Sequence, residues 1–183
     1  MTTDTDHSQV KLDVPEGTQS LEITRDFNAS PDRVFRAHMD PELFVKWNGP
    51  EEITNTIREW DPKTGGNWSY VSRDDNGEYG FFGSFHEVRE NERIVQTFTF
   101  EGFPDAVNLE IMTLTDLGDG RTRLSSTAIF DSVESRDGMV AAGMESGIVE
   151  GYNKLDALLA ERDALIHDIE QAKESESALL ADL

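Results

Sequence analysis

The 183-residue chain carries 37 acidic against 16 basic side chains, a net charge of −21, with 37% hydrophobic residues that include ten Phe, three Trp and three Tyr. That hydrophobic content supports one folded domain with a real core, while the acidic excess repels polyanions and excludes nucleic acid and anionic membrane surfaces as partners. There is no cysteine, so disulfides, thiol nucleophiles and thiolate metal sites are excluded as well.

Residues 1–17 are polar, closed by Pro15 and Gly17, and read as a flexible N-terminus. They contain no apolar stretch of the signal-peptide kind, and no segment of the chain reaches the roughly 18 apolar residues of a membrane span. No membrane partner and a cytoplasmic location are the expectation. "SLEITRDF" (20–27) sets Leu21, Ile23, Arg25 and Phe27 against Glu22, Thr24 and Asp26, the alternation of a strand with one buried face. "SPDRVFRAHM" opens with Ser30 at an N-cap, Pro31 in the first helical position and Asp32 in the first turn. "DPELFVKW" repeats the device with Asp40 and Pro41, so two short helices follow, ended by Trp47, Gly49 and Pro50.

From residue 51 to 130 strands follow one another. "EITNTIREWD", "NWSYVSRD", "EYGFFGSFHEVR", "RIVQTFTFEG", "VNLEIMTLTD" and "TRLSSTAIF" are separated by the turns "PKTGG", "DNG", "EN", "FPDA" and "GDG". Loops this short connect antiparallel neighbours. The resulting class is α+β: a curved antiparallel sheet of about seven strands that must bury one face against something.

The cover is a long C-terminal helix, expected from near Ser135 to at least Glu161. At about 100° per residue, Val140, Met144, Gly147, Ile148, Gly151, Leu155, Leu158 and Leu159 form one stripe, with Glu145, Val149, Asn153, Asp156 and Ala160 opposite. Gly147 and Gly151 are near the centre of that stripe, so they are expected to face the sheet. The domain is taken as 18–162, followed by a helical overhang and charged tail over 163–183. The overhang either frays near residue 172 or pairs with its copy in a homodimer through Leu165, Ile166 and Ile169.

Four stretches in order resemble the SRPBCC, or START/Bet v 1-like, superfamily, in the branch named after the activator of the heat-shock-protein-90 ATPase. They are "ASPDRVFRAHMDPELFVKWNGP", "GGNWSYV", "GSFHEVRENERIVQTFTFEG" and "GMESGIVEGYNKLDALLAE". The resemblance spans about residues 18–162 and implies a helix-grip fold with a cavity between sheet and long helix. It departs at Asn48 and Ile148, where such sequences often carry Trp. Members of that superfamily bind apolar, aromatic or lipid-like small molecules in the cavity, and some cyclise or hydrolyse them. Others act through protein contacts, so a chaperone contact is a second implied partner and a cavity acid–base enzyme a third reading. No cofactor is implied.

Of the histidines, His7 falls in the N-terminus, His167 in the overhang and His38 on the first short helix. His86 sits on a strand, alternating with Phe82, Ser84 and Val88 against Phe81, Phe85 and Glu87; which set faces inward is open. No metal-ligand spacing, phosphate loop or nucleophile elbow is present. The aromatic set is the informative feature, as core or as the wall of an apolar pocket with a few polar groups. The candidate cavity residues are Trp47, Trp60, Trp68, Tyr70, Phe81, Phe85 and Phe98, with Met112 on a later strand. Met144, Gly147, Ile148 and Gly151 join them from the helix, and Asn55, Arg58 and His86 supply the expected polar minority.

Overall fold

The alternation in "SLEITRDF" becomes β2 (Ser20–Phe27), with Leu21, Ile23, Arg25 and Phe27 buried as expected. The computed structural model describes residues 9–181, and their side chains through residue 162. Ahead of β2, Lys11–Asp13 form a short edge strand, β1, paired antiparallel to it. This corrects the expectation that everything before residue 18 is loose. Val10, Leu12 and Val14 pack on an apolar cluster, and the buried Arg136 donates to the Pro15 carbonyl at 3.3 Å and to that of Thr18.

The two helices follow as α1 (Pro31–Met39) and α2 (Pro41–Trp47). Ser30 occupies the N-cap of α1 without a side-chain cap, whereas Asp40 caps α2 by accepting from the Glu42 amide at 3.0 Å. The Trp47 indole donates to the Ala37 carbonyl at 2.8 Å and fixes α2 against α1.

The ladder is β3 (Thr54–Trp60), β4 (Asn67–Asp74), β5 (Gly77–Arg89), β6 (Arg93–Phe100), β7 (Asn108–Gly118) and β8 (Arg121–Ile129). The sheet order is β1-β2-β8-β7-β6-β5-β4-β3, eight antiparallel strands. The helices thus carry the chain from β2 to the far edge, and the meander returns to β2. Register shifts at Ile57/Glu59, Phe85/Glu87 and Asp116/Gly118 bend the sheet.

The expected single covering helix is divided. α3 (Val133–Ala141), capped by Ser132, is followed by Gly143 at φ +86°, and α4 (Met144–Ala181) begins there. A left-handed residue cannot continue a helix, so Gly143 is a hinge between two helices. α4 extends to Ala181, past the expected fraying point. Pairing through Leu165, Ile166 and Ile169, and the surroundings of His7 and His167, lie outside the described side chains. Leu155 and Leu159 of α4 close the main core with Phe27, Val34 and Leu124.

Candidate functional site

Where the sheet curves away from the first turns of α4, a cavity of about 350 Å³ remains. Twelve residues expected there, all the candidates except Asn55, Arg58 and His86, lie on its wall. Inward-facing rings from α2 and from β3 to β6 make up much of it. Phe44 touches Trp60 (4.8 Å between centroids), Tyr70 (5.2 Å) and Trp47 (5.6 Å). The chain of rings continues from Tyr70 to Phe81 (5.2 Å), Phe81 to Phe98 (5.4 Å) and Trp68 to Phe98 (5.8 Å). Such edge and offset contacts add to the stabilisation from burial itself. Gly83 is a condition of this packing, because a Cβ there would meet the Trp68 indole at 2.6 Å.

Three expected residues are off the wall. His86 is exposed, because the inward set on β5 is Phe81, Gly83 and Phe85, and His86 points outward with Phe82 and Ser84. Arg58 is exposed and paired with Glu101 at 2.7 Å. Asn55 is buried behind the wall, where it donates to the Asn48 carbonyl and accepts from Ser72 Oγ, each at 2.7 Å. Asn55 thereby fixes the turn at Asn48.

The glycines of α4 differ from expectation too. A Cβ at Gly151 would come 3.2 Å from the Trp47 carbonyl oxygen and 3.3 Å from the Gly49 amide. At Gly147 the nearest atom is Pro50 Cδ at 3.7 Å. Both therefore face the turn after α2, and only Gly151 is needed for close backbone approach.

The polar groups that do reach the cavity are ones the sequence did not single out. Glu110 lies on the inner face of β7, between Gln96 of β6 and Ala128 of β8. Gln96 Nε2 donates to Glu110 Oε2 at 2.8 Å. Burial holds the Glu110 carboxyl above its ordinary range, against the opposing Gln96 bond. Burial also pushes the Tyr70 and Tyr152 hydroxyls up, and the Glu110 charge adds to the shift at Tyr152.

His38 is on the wall and 4.7 Å from the Trp47 ring. Its Nδ1 donates to the Val34 carbonyl at 2.7 Å, so the neutral ring leaves Nε2 as a buried acceptor with no partner. Burial, outweighing that bond, lowers its pKa to about 4. The signal for Glu110 was faint: in "VNLEIMTLTD" the more apolar-looking set is Leu109 and Ile111, yet Asn108, Glu110, Met112 and Leu114 face inward.

Among the described residues no group of three metal-binding side chains comes together, and no helix is long and apolar enough to cross a membrane.

Comparison with known proteins agrees with this architecture. A Rhodobacter sphaeroides protein is 23% identical with a TM-score of 0.76, covering 84% of this chain and 99% of its own. Ms6760 of Mycobacterium smegmatis is 26% identical, TM-score 0.74, with 82% and 96% covered. An Arthrobacter aurescens protein is 25% identical, TM-score 0.76, with 82% and 91% covered. No curated protein matches the chain. The model of the family described as activator of Hsp90 ATPase homolog 1-like proteins matches residues 28–160. The chain therefore belongs to that family, within the SRPBCC, Bet v 1-like superfamily.

Proposed function

We propose that the protein is a cytoplasmic binding protein for one small, largely apolar or aromatic molecule held between the sheet and α4. The observation that carries this reading is the ring-lined cavity of about 350 Å³. Sites for small molecules begin near 300 Å³ and combine apolar walls with a few polar groups. A cavity of about 150 Å³ holds benzene, so this one suits a bicyclic ring system with a short substituent. A thermal-shift screen of such compounds tests the reading, since a ligand bound only by the folded state raises the melting temperature with concentration. Mass spectrometry of the natively purified protein supplies candidates. A full screen without a concentration-dependent shift overturns it.

A second reading, a co-chaperone-like contact, is supported by exposed Phe103, Phe82, Val107 and Leu109 (72, 41, 46 and 36% exposed). Phe82 and Leu109 stand on the outer sheet face, away from the cavity. Polar substitution there would abolish chaperone binding and leave ligand shifts unchanged. Absence of binding between purified chaperone and this protein rejects it.

A further inference from the structure

We propose that the cavity selects a protonated amine carried on an aromatic body, with Glu110 as the carboxylate that receives it. The proposal rests on the ligand-binding reading above. Glu110 sits at the middle of the sheet, on β7, and lines the cavity. Its only hydrogen-bond partner among the described residues is Gln96, and none of their Lys, Arg or His side chains lies within ion-pair distance of it. An isolated charge in an apolar site is costly, and a cationic ligand removes that cost by pairing with it.

The elements packed around Glu110 leave that place open. Arg25 of β2 is committed to Asp156 and Asn153 of α4. On α1, His38 is neutral at pH 7, and on β4 and α4 the Tyr70 and Tyr152 hydroxyls stay protonated. Phe85 is the cross-strand neighbour of Gln96, and Phe98 that of Asn108. Both rings line the cavity, and an aromatic ring attracts an ammonium group held over its face. The net charge of −21 raises the local concentration of cations and lowers that of anions.

Burial shifts Glu110 toward its neutral form, and an ammonium ion beside it shifts it back toward the carboxylate. Whatever proton the carboxyl holds at a given pH leaves to solvent as the ammonium ion binds. No covalent bond forms, and charge balances.

Calorimetric titration with tryptamine and its neutral isostere tryptophol tests this, using the full chain and Glu110→Gln. The Gln variant keeps the side-chain shape and can still accept from Gln96, and its melting curve checks that it folds. The expected result is about tenfold or greater preference for tryptamine in the natural protein, as a desolvated charge pair confers. In Glu110→Gln that preference disappears while tryptophol affinity is retained. Titrations in buffers of different ionisation enthalpy should show proton release with tryptamine that grows as the pH is lowered, and none with tryptophol. Tryptophol binding as tightly as tryptamine overturns amine selectivity and leaves the ligand-binding reading standing, as does a preference that survives Glu110→Gln. Failure of both probes, together with an empty thermal-shift screen, overturns both.

Discussion

Replacing Gly147 and Gly151 of α4 by alanine, one at a time, separates two reasons for a glycine in a helix. Alanine in place of an interior glycine gains about 0.5–1 kcal/mol through backbone entropy. At Gly147 the new Cβ meets nothing closer than Pro50 Cδ at 3.7 Å, an ordinary contact. The whole gain should be realised, a rise of about 1–4 °C in melting temperature for a domain of this size. At Gly151 the Cβ is 3.2 Å from the Trp47 oxygen and 3.3 Å from the Gly49 nitrogen, both backbone atoms. That turn cannot shift cheaply. Asn55 holds the Asn48 carbonyl at 2.7 Å, Lys154 holds the Pro50 carbonyl at 3.0 Å, and Glu150 accepts from the Glu51 amide at 3.1 Å. Overpacking of this kind costs about 1–3 kcal/mol, so Gly151→Ala should lose about 0–2.5 kcal/mol net once the same helical gain is subtracted. Urea denaturation of both variants, read as midpoints at constant slope, measures the difference. Equal stabilisation by the two alanines would refute the assignment of Gly151 to close backbone approach.

Two other perturbations follow from buried charge. The pKa of His38, about 4, lies below its ordinary 6.5, so the unfolded chain protonates first as pH falls. Stability present above pH 6.5 is therefore lost toward pH 4, by at most roughly 3 kcal/mol. Glu110 acts with the opposite sign: its raised pKa contributes stability that is full below its ordinary 4.5 and lost as pH rises through the folded value. His38→Gln should flatten the rise of stability with pH between 4 and 6.5 and Glu110→Gln should steepen it, measured by urea midpoints across pH; unchanged slopes in both would count against buried titration. Asp156→Ala removes the ionic partner of Arg25, which is 4% exposed, and leaves it Asn153 at 3.2 Å. The expected loss is about 2–3 kcal/mol, with much of it recovered in the double variant Arg25→Met/Asp156→Ala. A loss below about 0.5 kcal/mol would place that pair with ordinary surface ion pairs.

The strand ladder was legible because each run ended in a turn signal too short for anything but a hairpin. The ring wall was legible for the same reason, since period-two alternation puts Trp68 with Tyr70 and Phe81 with Phe85. The inward face of β5 was not legible, which sent His86 to solvent. Arg58 leaves the face of Trp60 at the register shift between Ile57 and Glu59. Glu110 shares the inward face with Met112, where a lone acid among apolar residues gives no sequence signal. β1 escaped because three residues carry no period, and their pairing depends on the exposed edge of β2. The break at Gly143 escaped because helical spacing continues across it, and only its positive φ ends the helix. Arg25 is on the buried face as expected, and its partners Asn153 and Asp156, on the helix side opposite the apolar stripe as expected, reach back to it from a partly exposed position. A charge that must be buried draws its counter-charge from the neighbouring element.

The same logic divides α4 into two working parts. Leu155 and Leu159, 0% and 3% exposed, join Phe27 and Leu124 in a closed core. About two turns earlier, Met144, Gly147 and Ile148 stand over open volume. The core therefore anchors the helix at one end and leaves its first turns to span the cavity without filling it. Asn48 and Ile148, the two positions where resembling sequences often carry Trp, both lie on that wall. An indole at either place would occupy space that is empty in this chain, and burying more apolar surface there would stabilise the fold. The chain forgoes that stability at two positions of the wall and carries Glu110 there as well, which agrees with the proposed use of the volume for a guest with a polar end.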